Sequence, residues 1–258
     1  MPNSFKARPK REGPMKAMIL AAGLGTRLRP LTNDRPKALV EINGRALLEI
    51  TIARLRTFGV TEIIVNVHHH AGQIIDYLKS RNNFGVRIEI SEEEVLLDTG
   101  GGLKRTAWFF LENPEQLDKP FILHNVDVVS TIDLGAMLQF HQTNGSLATL
   151  AVQKRDSSRQ LLFSDRNQLI GRRSGRDGAS QTHLPPPSSL AFSGIHVVSP
   201  RLLPMLTEVG IFSIIDAYLR LSAQGEKILA FRADQFYWRD LGRPADLTQA
   251  ALDLRKNA

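Results

Sequence analysis

The chain contains no cysteine. A disulfide framework, a thiolate metal site and a thiol nucleophile are therefore excluded, which fits a cytoplasmic protein. Long apolar runs are missing too. The opening residues, MPNSFKARPKREGP, have no signal-peptide core, and no later segment reaches the length needed to span a bilayer. The expectation is a soluble chain with no membrane contact. No internal repeat is present. Two common phosphate-binding patterns are also absent: residue 28 is leucine where the dinucleotide fingerprint G-x-G-x-x-G needs its third glycine, and no G-x-x-x-x-G-K-[ST] occurs.

What is present is an ordinary globular composition in 258 residues, room for one large α/β domain or two small ones. The net charge is +7, of which Lys6, Arg8, Lys10 and Arg11 against Glu12 account for +3. Residues 1–14 thus read as a basic, solvated, disordered tail. A nucleic-acid or targeting arm is the weaker reading of that tail. The remaining +4 suits phosphorylated small molecules at least as well as a duplex.

After the tail, strand-like and helix-like segments alternate. Residues 15–22 form a continuous apolar run, as in a strand buried on both faces. Helical spacing follows over 45–58, with Gly59 as its C-terminal stop. Strands are expected at 62–67, 86–90, 121–126, 147–152, 191–198 and 227–231. Helices are expected at 72–79, 102–110, 134–143 (capped by Asp133), 211–223 and 244–256. This alternation predicts an α/β fold, a doubly wound, mostly parallel Rossmann-like sheet, as a single domain over 15–258. Residues 156–189, polar and rich in glycine and proline, read as an inserted hairpin or flap.

Ligands of open α/β sheets gather beyond the carboxyl ends of the strands. Three groups fall there: the stretch LAAGLGTRLRPLTNDRPKAL at 20–39, Asp127, and Asp240 in YWRDLG. Gly23 and Gly25 let backbone N–H groups approach an anion, and Arg27 and Lys37 are joined to them by a proline-stiffened segment.

Residues 20–37 match every fixed position of L-A-A-G-x-G-T-R-L-x-P-L-T-x-x-x-P-K, and the chain therefore resembles the sugar-1-phosphate nucleotidylyltransferases. DTGGGL at 98–103, Asp127, FSGIHV at 192–197 and W-x-D-x-G at 238–242 follow in the family's order, so the resemblance covers most of 15–258. DTGGG and FSGI resemble in particular the N-acetylmuramate-1-phosphate uridylyltransferases, and then the mannose-1-phosphate guanylyltransferases. The resemblance implies an enzyme that joins an NTP and a sugar-1-phosphate into an NDP-sugar for cell-wall or polysaccharide precursors, with Mg²⁺ as cofactor. It implies that Leu20, Ala21, Ala22, Gly23, Gly25 and Thr26 hold the nucleotide with Arg27, and that Lys37 sits between the reacting phosphates. Thr99, Gly100 and Gly101 would lie against base or ribose. Asn125, Ser193, Gly194 and Arg173 would face the sugar, and Asp127 and Asp240 would hold Mg²⁺. A regulatory or catalytically weak protein of the same fold is the alternative. The base, the sugar and the oligomeric state stay open.

Two departures from the family pattern stand out. Valine occupies the middle of Asn125-Val126-Asp127, where glycine is usual, and valine disfavours a positive φ. In place of a Glu-Lys-Pro segment stands IGRRSG at 170–175, so either Arg172 or Arg173 substitutes for its lysine or both are a solvated hairpin tip. His68-His69-His70 reads as loop packing at the start of a helix, and Phe236, Tyr237 and Trp238 as packing beside Asp240. SEEE at 91–94 reads as a solvated loop, although the family that the chain resembles often places a polar residue facing base or sugar near this position.

Overall fold

The computed structural model describes residues 14–113, 117–174 and 188–256. The basic tail, apart from Pro14, and residues 175–187 of the expected flap lie outside the described residues.

β1 (Met15–Leu20) opens the sheet, and β2 (Glu41–Ile42) with β3 (Arg45–Ala46) makes a small separate hairpin leading into α1 (Leu47–Thr57). Gly59 ends that helix region in a left-handed conformation, φ +82°, as its position predicts. Next come β4 (Val60–Val67), α2 (Ala71–Ser80), β5 (Arg87–Glu92), α3 (Asp98–Arg105) and α4 (Ala107–Leu111). The second third holds β6 (Phe121–Asn125), β7 (Val128–Ser130), α5 (Leu134–Asn144), β8 (Ala148–Gln153), β9 (Arg159–Phe163) and β10 (Leu169–Ser174). The Asp133 carboxylate caps α5 by accepting from the Ala136 amide at 3.0 Å. The chain closes with β11 (Ser188–Val198), α6 (Ile214–Ala223), β12 (Ile228–Arg232), β13 (Trp238–Asp240) and α7 (Pro244–Lys256).

The main sheet has the order β10-β9-β11-β6-β1-β4-β5, with β8 also against β11 and β12 against β8. β6, β1, β4 and β5 are mutually parallel, while β11 runs antiparallel to β6, β8 and β9. β9 and β10 form the inserted hairpin and extend the sheet from β11. The continuous apolar run of β1 is explained by its two buried faces. Ala17 and Ile19 join a core with α1, α2, α5 and α7, whereas Met18 joins one with α3, α4 and α6.

Two helices start elsewhere than the spacing predicts. α3 begins at Asp98, and a break at Thr106 separates α4 from it, so Gly100 and Gly101 lie inside the helix and not before it. α6 begins at Ile214, because Ser213 caps the Ile215 amide and the Thr99 hydroxyl accepts from the Ile214 amide at 3.0 Å.

Three histidines sit in this interior. Burial pushes His124 and His141 down to about 4 and His196 to about 3, from an ordinary 6.5. The folded chain leaves them neutral where the unfolded chain takes up protons. Their contribution to stability is full above pH 6.5 and is lost as pH falls towards 4, by about 1.4 kcal/mol per pH unit for each histidine. The urea midpoint is therefore expected to drop between pH 6.5 and 5, above the carboxylate range. A flat midpoint across that window would contradict neutral burial.

Candidate active site

The site follows from strand register. Leu20 at the end of β1 pairs with Asn66 on one side and Asn125 on the other, so three parallel strands end within one residue of the same level. All three residues line a cavity of about 430 Å³. The chain leaving β1 supplies much of its wall: Ala21, Ala22, Gly23, Gly25, Thr26, Arg27 and Lys37. Gly25 adopts φ +64°, and the carbonyl of Gly25 is held by the Thr32 hydroxyl at 2.9 Å. Leu28, fully buried, anchors the turn. The chain then returns through Pro36, and a short helical turn at Lys37–Leu39 presents the lysine inward.

Lys37 is 8% exposed, and its ammonium forms an ion pair with the Asp127 carboxylate. Arg27 is far more exposed, with Nη2 4.0 Å from Asp240 Oδ1. Asp127 and Asp240 converge because β13 pairs with β7. Asp240 stands opposite Val128, and the Leu241 amide donates to the Asp127 carbonyl at 2.8 Å. Burial raises the Asp240 pKa above the carboxylate norm and the Asp127 charge adds to this, while Lys37 and Arg27 act the other way. Among the described residues no group of three or more His, Cys, Asp or Glu is placed to hold a metal. Two converging carboxylates with mutual repulsion nonetheless fit Mg²⁺, which binds through one or two carboxylates and fills its other positions with water and phosphate oxygens.

Val126 does not disturb this end of β6. It does not take a positive φ, its amide donates to the Leu20 carbonyl at 3.1 Å, and its side chain is buried. The turn before Asp127 therefore never asks for the glycine conformation.

Other expected residues are placed differently. Thr99 lines the cavity, but a Cβ on Gly100 would meet the Phe212 ring at 2.3 Å, and one on Gly101 would meet Gly210 and Leu97 at 2.8 Å. These glycines allow close packing of α3 on the 210–212 loop, and neither is in the cavity wall. Ser193 is fully buried and outside the cavity wall; its carbonyl accepts from the Trp238 indole at 2.7 Å. Gly194, at φ +72°, is a close-packing position, where a Cβ would stand 2.9 Å from the side chains of Asn125 and Val128. Arg173 lies on β10, at the far edge of the sheet, paired with Gln160 and not in the wall. Arg172 is bonded to Asp216 of α6 at 2.5 Å.

Asn66, Glu93, Leu96 and Ile211 also line the wall, and nothing local in the sequence marks them for it. Glu93 lies in SEEE, expected to be solvated, yet it is 2% exposed and Ser91 beside it is buried. Only its burial distinguishes it from Glu92 and Glu94, and burial depends on long-range partners. The histidine run behaves as expected: His70 immediately precedes α2, and His68 Nδ1 is 2.7 Å from the Glu93 carbonyl.

A turn rich in backbone amides with two cations and two carboxylates at the carboxyl edge of parallel strands marks an α/β protein suited to anionic ligands. The family profile described as nucleotidyl transferase matches residues 16–161. An N-acetylmuramate alpha-1-phosphate uridylyltransferase from Caulobacter vibrioides is 32% identical over 90% of this chain and 94% of its own length. A UTP--glucose-1-phosphate uridylyltransferase from Synechocystis is 30% identical over 92% of this chain, which spans 62% of that relative. Among solved structures, UDP-glucose pyrophosphorylase from Acinetobacter baumanii shares the fold, with TM-score 0.76 at 18% identity over 93% of each chain. The chain belongs to the nucleotidyl transferase family. No helix among the described residues is long and apolar enough to cross a membrane.

Gly25 and Gly23 offer a paired test of the turn. Alanine at 25 would hold a left-handed φ and bring its Cβ to 3.0 Å from Lys37 Cβ, whereas alanine at 23 would meet open space. Gly25→Ala is expected to lower unfolding stability by about 1–2 kcal/mol, and Gly23→Ala to leave the urea midpoint nearly unchanged.

Proposed function

We propose that the chain transfers a nucleotidyl group from an NTP to a sugar-1-phosphate, giving an NDP-sugar and pyrophosphate, with Mg²⁺ as cofactor. The observation that carries this reading is the meeting of Lys37, Asp127, Arg27 and Asp240 beside the turn after β1, around one cavity. A phosphate oxygen of the sugar-1-phosphate attacks the α-phosphorus. The bond from that phosphorus to the oxygen bridging to the β-phosphate breaks, and pyrophosphate leaves. No enzyme nucleophile is needed, so the protein's work is positioning and charge neutralisation.

The backbone from Ala21 to Gly25 and the Arg27 guanidinium take the triphosphate. Arg27 is suited to this because its exposed pair with Asp240 is weak and leaves it able to turn towards a ligand. Lys37, a compact charge on a short turn, meets the α-phosphate and the sugar phosphate together. Asp127 and Asp240 would hold Mg²⁺, which when bound neutralises and orients phosphate oxygens. Thr99 and Asn125 supply polar contacts to base or ribose and to the sugar from the cavity wall. A cytoplasmic location belongs to the same reading, since NTPs are supplied there.

A uridylyl donor is favoured by the near-complete coverage of the N-acetylmuramate relative, and a guanylyl donor is the second reading, from mannose-1-phosphate guanyltransferases such as that of Candida albicans, 30% identical over 90% of this chain and 62% of that relative. Pyrophosphate release over four NTPs against several sugar-1-phosphates, with and without Mg²⁺, separates them. No release anywhere on that grid would favour a regulatory binding protein. Lys37→Ala and Asp127→Ala are each expected to cut kcat by about 10²–10³-fold, the scale of losing one preorganised charge at a reacting centre, with far-UV circular dichroism unchanged. Near wild-type turnover in either variant would remove that residue from the mechanism.

A further inference from the structure

At the floor of the cavity wall a buried carboxamide and a buried carboxylate join two stretches far apart in sequence. Asn66 Oδ1 accepts from the Ala21 amide at 2.9 Å, at the start of the phosphate-side turn. Its Nδ2 donates to Glu93 Oε1 at 2.8 Å, and Glu93 Oε2 accepts from the Leu97 amide at 2.9 Å. Leu97 leads into Asp98 and Thr99, both in the cavity wall. Asn66 and Glu93 are 3% and 2% exposed, so these three bonds are made between nearly buried groups, where an unmatched donor or acceptor is costly. Gly102 of α3 lies against the pair: a Cβ there would stand 2.8 Å from both Asn66 Nδ2 and Glu93 Oε1.

We infer that Asn66 and Glu93 are positioning residues that set the spacing between the phosphate-side turn at Ala21 and the base-side turn at Leu97–Thr99. This rests on the reading that the cavity takes an NTP. One amide–carboxylate contact then fixes how far apart the triphosphate and the base are held. The sugar-1-phosphate, bound on the other side of Lys37, does not depend on it.

The bond pattern supplies a test by exchange. In E93Q an amide N–H faces another donor, and in N66D a carboxylate faces a carboxylate. Combined, the two substitutions restore a donor opposite every acceptor with the net charge unchanged: the new carboxylate at 66 accepts from Ala21 and from the new amide at 93, whose oxygen accepts from Leu97.

KM for NTP and for sugar-1-phosphate, kcat and melting midpoint would be measured for wild type, E93Q, N66D, the double variant and G102A. Each single variant, and G102A, is expected to raise the KM for NTP by about tenfold, the scale of one unsatisfied buried group, with the sugar-1-phosphate KM within about twofold. The double variant should return the NTP KM to within about threefold of wild type. Failure of the double variant to recover, an equal rise in both KM values, or a change in the ranking of the four NTPs that the double variant does not reverse would overturn the proposal. The last outcome would make Glu93 a direct base contact. If the single variants do not fold, the double variant decides alone, since it must both fold and bind NTP as wild type does. A wild-type chain silent with every NTP would instead remove the underlying substrate reading, an outcome seen before any variant is compared.

Discussion

Parallel strands that end at one level leave their next amides without ladder partners, and the site is built from how this chain satisfies them. β1 and β6 stop together at Leu20 and Asn125, level with Asn66, the next-to-last residue of β4. Buried backbone donors must be paired. The Ala21 amide is therefore taken by Asn66, through both its backbone and its side chain, and the Val126 amide by Leu20. The first bond turns the chain after β1 away from the sheet and towards Gly25. The second aims β6 so that Asp127 follows at the cavity. Neither active-site segment has freedom to choose its direction.

Charge is managed in the same economical way. Lys37, nearly buried, meets Asp127, and removing one member of such a pair leaves the other uncompensated in a poor solvent. Arg27 and Asp240 form the looser counterpart, nearer solvent. The free site is thus two matched ion pairs of different stiffness. On the proposed reading, an arriving polyanion would compete with carboxylates for cations already in place, and a divalent cation would compete with cations for the carboxylates. Each ligand would then expose the partner that the other ligand needs.

Features set by neighbours in sequence were legible in it. The turn at 20–37, the Asp133 cap and the stop at Gly59 are local chemistry, and all three stand where the residues imply. Asp127 and Asp240 were legible as strand ends, though only the β7–β13 pairing brings them together. Long-range partners account for what was missed. SEEE is indistinguishable from a solvated acidic loop until Asn66 and the Leu97 amide claim Glu93. The glycines at 100 and 101 are also required by the approach of Phe212 and Gly210, more than a hundred residues later, which no local pattern announces. The register of the inserted hairpin, which no local pattern sets, puts Arg173 on the edge strand β10, opposite Gln160.

Trp238 occupies an unusual electronic setting. Its indole N–H is bonded to the Ser193 carbonyl, the Arg155 guanidinium lies 3.7 Å from its ring, and Asp240 follows two residues later on the same strand. The other tryptophan, Trp108, is half exposed on α4. The chain thus carries a built-in optical reporter, one fluorophore bathed in water and one gripped between a cation and a carbonyl beside the acidic pair. Any rearrangement that pulls Arg155 or Asp240 aside alters the field across that ring, and the colour of its emission records the event without an attached dye.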